Sequence, residues 1–163
     1  MKVLFLDIDG VLNSSKWMAK LYHARDHDQQ KTEDERYISY LDPVLVERLN
    51  HVIAETGAKI VISSTWRILN TPDQIQRYLE AVGFQGEVID RTPKNNEEPF
   101  TRRRGRQILH WMENQGKDLG VETIAIVDDD TDLEPFKDRF VKTWWDHGLQ
   151  VEQVMDLIAL LNE

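Results

Sequence analysis

Cysteine is missing from all 163 residues, so neither a disulfide framework nor a thiolate zinc site can form. Long apolar runs are missing too. No stretch approaches the roughly 18 consecutive apolar residues of a membrane-spanning helix, and the opening Met1–Leu6 meets Asp7 too soon to form a signal-peptide core. A cytoplasmic protein with no membrane partner is the expectation. Positive charge is the minority sign: 20 Lys and Arg stand against 29 Asp and Glu, for a formal net charge of −9. That excludes a protein coating nucleic acid through a general basic surface. The basic residues are concentrated, however. Arg102, Arg103, Arg104 and Arg106 form one dense cluster, which leaves a local basic groove open. The five histidines offer no zinc constellation; His23 and His27 are spaced to meet on a helix face, and polar exposure accounts for them.

What is present is an alternation of short apolar strands with helical periods. Residues Lys2 to Leu6 read as a buried parallel strand closed by Asp7. Asp42-Pro43 marks a helix start and Gly57 its stop, with Val44, Leu45, Leu49, Val52 and Ile53 at helical spacing. A second strand follows at Lys59 to Ile62, then a helix from Thr71-Pro72 to about Val82, and a weak third strand at Glu87 to Ile89. Further helices are predicted from about Arg103 to Gln115, briefly after Asp132, and from Val151 to Leu161. Strands are predicted at Thr123 to Val127 and about Arg139 to Thr143. The fold class is α/β: a three-layer, doubly wound, Rossmann-like and mainly parallel sheet with helices on both faces. Residues 1–163 are expected to form one domain, with 13–40 a small polar flap or cap after the first strand that carries a helical piece around Lys16 to Tyr22.

Parallel sheets of this kind bind ligands at the carboxyl ends of their strands. There the chain delivers Asp7, Asp9 and Gly10, then Ser63, Ser64 and Thr65, then Asp128, Asp129 and Asp130, with the arginine cluster at the start of the preceding helix. Each piece alone has an ordinary explanation, as a turn, a cap or a solvated charge run. Together, at matching strand ends, carboxylates that repel one another call for a hard cation, and hydroxyls with a guanidinium suit phosphate oxygens. A positively charged helix start also opposes the helix dipole, which hints at a purpose other than stability.

The motifs resemble those of the haloacid dehalogenase-like superfamily, mostly magnesium-dependent phosphatases. They are Leu4-Phe5-Leu6-Asp7-Ile8-Asp9-Gly10-Val11-Leu12, Ile60-Val61-Ile62-Ser63-Ser64-Thr65-Trp66-Arg67, a basic residue at a helix start, and Ile124-Ala125-Ile126-Val127-Asp128-Asp129-Asp130. With Arg104-Gly105-Arg106-Gln107-Ile108, Trp111 and Asp146-His147-Gly148-Leu149, the chain further resembles the domains of this type in RNA-repair proteins, akin to the phosphatase halves of polynucleotide kinase-phosphatases. The resemblance implies Asp7 as nucleophile, forming an aspartyl phosphate, and Asp9 as general acid and base. It implies Mg2+ held by Asp7, the Asp9 carbonyl and Asp129, with Asp128 or Asp132 in support. Ser64 or Ser63 would bind phosphate, Ser64 being preferred for its offset from Trp66. Arg104 is the expected phosphate-binding cation, ahead of Arg103, Arg106 and Lys94. Trp66, Arg67 and Arg103 are expected to contact substrate.

The implied reaction is phosphomonoester hydrolysis at a polynucleotide 3′-phosphate end, with other end-processing enzymes as partners. The alternatives are a phosphatase of small nucleotides or sugar phosphates, and a catalytically silent binding module. A response-regulator receiver fits poorly, because its acidic pair follows the first strand and its acceptor a later one. Trp17, Trp66 and Trp111 could offer stacking surfaces for a base, although Trp111 has helical spacing suited to the core. Of Trp144 and Trp145, beside a strand end, one is expected to be buried and the other exposed.

Overall fold

The computed structural model describes residues 1–24 and 31–163. Five strands, β1 (Lys2–Leu6), β2 (Lys59–Ile62), β3 (Val88–Arg91), β4 (Thr123–Asp128) and β5 (Phe140–Lys142), form one sheet in the order β3-β2-β1-β4-β5. Every pairing is parallel. β1 is central because it is apolar on both faces: Val3 to Leu6 are all buried, as a strand covered on both sides requires.

Successive strand residues point to opposite faces, and the two faces carry separate cores. Leu4, Leu6, Ile60, Ile62, Ala125 and Val127 pack under α3 (Pro43–Thr56), α4 (Pro72–Ala81) and α6 (Val151–Leu161). Val3, Phe5, Val61, Ile124 and Ile126 pack under α5 (Arg104–Trp111) through Ile108 and Trp111. Trp111 lies edge-on to Phe5, with ring centres 5.4 Å apart, and its indole N–H donates to Asp90 at 2.6 Å. It is therefore a core residue, as its helical spacing indicated, and offers no stacking surface.

The start and stop signals read from sequence operate as chemistry. Asp42 Oδ1 accepts from the Val44 N–H at 3.0 Å, Gly57 ends α3 at φ 69°, and Thr71 with Gln74 forms a reciprocal capping box on α4. α5 has no side-chain cap and continues as a π-helical turn, Met112–Gly116. The brief helix expected after Asp132 is a single 3-10 turn, Lys137–Arg139.

The 13–40 segment is more helical than expected. α1 (Ser15–His23) matches the anticipated piece, but a second helix, α2 (Glu33–Tyr40), follows. Its first turn is polar and exposed, while Tyr37, Ile38 and Tyr40 pack half-buried against the core. Tyr37 stacks on Tyr78 at 5.4 Å, and burial together with the neighbouring Asp34 pushes the Tyr78 hydroxyl up to about 12. Trp17 donates its indole N–H to the Ser39 carbonyl at 3.0 Å, tying α1 to α2. Part of the polar run from Arg25 to Arg36, and the His23–His27 pairing, lie outside the described residues.

α5 is seated on the chain after β4 by a close approach at Gly105. Its N–H donates to the Asp132 carbonyl at 3.1 Å, and a Cβ there would stand 2.0 Å from the Glu134 carbonyl oxygen. Backbone cannot retreat as a flexible side chain can. Gly105→Ala is expected to cost about 2 kcal/mol or more, read as a lower urea midpoint at unchanged slope.

Candidate active site

The ladder hydrogen bonds continue past the strand ends and fix which residues stand on the rim. Asp7 N–H donates to the Val127 carbonyl at 3.0 Å, Ser63 N–H to Leu6 at 3.0 Å, Thr92 N–H to Ile62 at 2.9 Å and Thr143 N–H to Asp128 at 2.9 Å. The turn after β1 is held from two sides. Gly10 N–H donates to Asn13 Oδ1 at 2.9 Å, and the Thr143 hydroxyl donates to the Gly10 carbonyl at 2.7 Å. Gly10 is required here: its φ is +79°, and a Cβ would meet Asp129 Oδ2 at 2.2 Å. The bare glycine lets the carboxylate of Asp129 settle over the first turn.

Asp7, Asp128 and Asp129 thereby converge, each with a carboxylate oxygen within 4.8 Å of the others. Arg104 reaches in from α5, ion-paired with Asp7 at 3.3 Å and, more closely, with Asp128. Burial and the negative charge of Asp128 push the Asp7 carboxyl well above its ordinary range, and burial with Asp128 raises Asp129 as well. Burial works against the Arg104 charge, but Asp7 and Asp128 outweigh it and hold the guanidinium protonated beyond its ordinary range. One guanidinium, ion-paired with two of three mutually repelling carboxylates, leaves the cluster short of positive charge, and clustered oxygens are the donor set a hard cation takes. The residues present fit magnesium.

Asp9 stands at the exposed lip. Its carboxylate accepts from Asn13 Nδ2 at 3.0 Å and from the Trp66 indole N–H at 3.2 Å. Trp66 is thus a clamp on Asp9. It is only 7% exposed, with its ring edge-on to Tyr37 at 4.9 Å and close to Tyr40, which corrects the expectation of a stacking surface. Arg67 also departs from expectation. It is buried, and its five N–H groups all have acceptors: Ser63 and Ser64 carbonyls, the Pro93 carbonyl twice, and Gln107 Oε1. No donor is left for a substrate. Burial, with the charges of Arg104 and Arg91, draws Arg67 down to about 10, still charged at neutral pH.

The two serines separate. Ser64 Oγ accepts from the Trp66 N–H and caps the 3-10 turn Thr65–Ile68. Ser63 Oγ, at the end of β2, is the one buried side-chain oxygen without a partner among the described residues. The Ser64 oxygen thus accepts a local hydrogen bond, whereas the Ser63 oxygen has no partner among the described residues. Arg102, Arg103 and Arg106 are exposed, Asp132 is exposed and outside the acidic cluster, and Lys94 is half-buried. Trp144 and Trp145 are both exposed, at 54% and 43%, because each follows the end of an edge strand rather than lying in it; the expectation that one is buried is corrected. Sequence reasoning missed Asn13, Gln107 and Thr143, all buried. The only available signal was a polar residue within an otherwise apolar or turn context.

An α/β domain with an acidic cluster and a guanidinium at the carboxyl end of its central strands is the class defined here. The family model described as the HAD domain in Swiss Army Knife RNA repair proteins matches residues 3–154, and the chain belongs to that family. No curated protein and no solved structure matches it. No helix among the described residues is long and apolar enough to cross a membrane.

A carboxyl raised in the folded state binds more protons folded than unfolded above its ordinary range, so it lowers stability as pH rises through that window. In chelator, Asp7→Asn is expected to raise Tm at pH 7, by about 2–4 °C for each kcal/mol relieved. The gain should shrink toward acidic pH, where the native carboxyl is protonated; thermal melts across pH check it.

Proposed function

We propose that this protein is a magnesium-dependent phosphomonoester hydrolase that forms an aspartyl phosphate on Asp7 and acts on the 3′-phosphate end of a polynucleotide. The observation that carries the reading is the meeting of buried Asp7 with Asp128, Asp129 and Arg104, beside an unpartnered buried hydroxyl on the next strand end.

Asp7 Oδ attacks phosphorus as the bond to the leaving oxygen breaks, and Asp9 supplies the proton that oxygen needs. Asp9 then takes a proton from water, which attacks the same phosphorus and releases inorganic phosphate with the Asp7 carboxylate restored. The hydrogen bonds from Asn13 and Trp66 hold Asp9 at the lip, where a leaving group would arrive. Ser63 Oγ and the Arg104 guanidinium bind the phosphoryl oxygens. Asp7, Asp129 and the Asp9 carbonyl would hold Mg2+. Asp128 supports from behind, since one of its oxygens accepts from the Asp130 N–H at 2.9 Å and the other from Arg104. Bound there, the metal supplies the positive charge that offsets the phosphoryl oxygens.

The family supports a nucleic-acid end as substrate, and so do the exposed arginines in a chain of net charge −9. Residues 13–40 act as a small cap on a single domain, leaving room for a large substrate. Work in the cytoplasm beside other end-processing enzymes fits this role.

With Mg2+ present, a 3′-phosphorylated oligonucleotide should be hydrolysed faster than mononucleotides or an aryl phosphate. Equal or faster turnover of the small esters would transfer the reading to small nucleotides or sugar phosphates. Asp7→Asn should abolish turnover, and an unaltered rate would remove Asp7 as nucleophile. Ser63→Ala should lower kcat about a hundredfold, Ser64→Ala much less; the reverse order would return the phosphate to Ser64.

A further inference from the structure

Phe100 is exposed to 65% of its surface and adopts φ +53°, a left-handed conformation unfavourable for a bulky residue. It is nevertheless anchored: its N–H donates to the Glu97 carbonyl at 2.6 Å, and Glu97 is bound on both oxygens by Arg91, at 2.8 and 3.0 Å. The adjoining Thr101 carbonyl accepts from Gln107 Nε2 at 2.7 Å, and the Thr101 hydroxyl accepts from the Arg103 N–H at 3.1 Å. Gln107 in turn accepts from Arg67 at 2.8 Å, and Arg67 donates to the carbonyls of Ser63 and Ser64. A buried polar relay therefore sets the loop bearing Phe100 against the strand end bearing Ser63.

Phe100 precedes Arg104 by four residues, so its Cα lies within about 14 Å of the Arg104 Cα even with the chain fully extended. Between them stand the exposed Arg102 and Arg103. An exposed aromatic residue followed two and three positions later by exposed arginines is the combination by which proteins hold single-stranded nucleic acid: rings stack on bases while cations follow the phosphates. The exposed Trp144, beyond β5 at the opposite edge, has Lys142 over its ring at 5.5 Å, but Glu152, Asp156 and Asp138 line the same groove and outnumber that one cation.

Resting on the polynucleotide reading above, we propose that Phe100 is the stacking platform for the base of the terminal or penultimate nucleotide, with Arg102 and Arg103 on the phosphates that follow. Because every base presents a π-face, the contact favours single-stranded ends without selecting a sequence.

The test compares kcat and KM of the full chain, in Mg2+, on a single-stranded 3′-phosphorylated oligonucleotide and on an aryl phosphate. Phe100→Ala should raise KM for the oligonucleotide about tenfold, leaving kcat and both aryl phosphate constants unchanged. Phe100→Trp should restore the low KM, and Trp144→Ala should change nothing. Of two substrates, one abasic at the terminal and one at the penultimate position, one should show the raised KM with the native protein, and on it Phe100→Ala should add no further loss. If the oligonucleotide is hydrolysed but Phe100→Ala matches the native protein, or its defect persists on both abasic substrates, stacking is overturned and the phosphatase reading survives. If only the aryl phosphate is hydrolysed, the polynucleotide reading and the stacking role fall together.

Discussion

Three clustered carboxylates, two of them buried, around a single guanidinium are the constraint to which the rest of this molecule is fitted. Like charges this close are unfavourable, and burial makes them more so. The Asp7 and Asp129 carboxyls are both raised as a result. The fold tolerates the arrangement because the surrounding structure leaves each group little freedom. Asp7 is fixed by the ladder of the central strand, Asp128 by its own turn, Asp129 by the bare backbone of Gly10, and Arg104 by the seating of α5 at Gly105. Such an arrangement is stable enough to persist and still electrostatically incomplete, so that it could accept a cation.

Around it the structure separates groups that hold from groups that are left available. Trp66, Asn13, Gln107 and Arg67 are occupied by internal hydrogen bonds. They orient Asp9 and bind the loop after β3 to the loop after β2. Ser63 Oγ, the Asp129 carboxylate, Arg102, Arg103 and Phe100 lie at the edge of this frame. A buried polar network with every donor satisfied gives rigidity, and rigidity lets a short, lightly covered rim present its groups in register.

The 13–40 segment shows how a polar stretch earns a place in the fold. α2 begins with a capping box and three acidic residues suited to a helix start, and it contributes Tyr37 to a stack with Tyr78 and an edge contact with Trp66. Trp66 holds Asp9, so α2 is connected through Tyr37 to the lip of the site.

The sequence by itself determined the alternation of strands and helices, the start of α3 at Asp42-Pro43 and of α4 at Thr71-Pro72, and the rim on which Asp7, Ser63 and Asp128 stand. Apolar periodicity and capping chemistry are local, and a parallel sheet always carries its strand ends on one side. Tertiary structure alone decided which of four neighbouring arginines turns inward, which of two adjacent serines keeps an unengaged hydroxyl, and that Trp66 and Arg67 support the site from within. Those choices depend on hydrogen-bond partners up to 40 residues away for Arg67 and 57 for Trp66. Side chains adjacent in sequence share composition and propensity, and only the packing of remote elements distinguishes them.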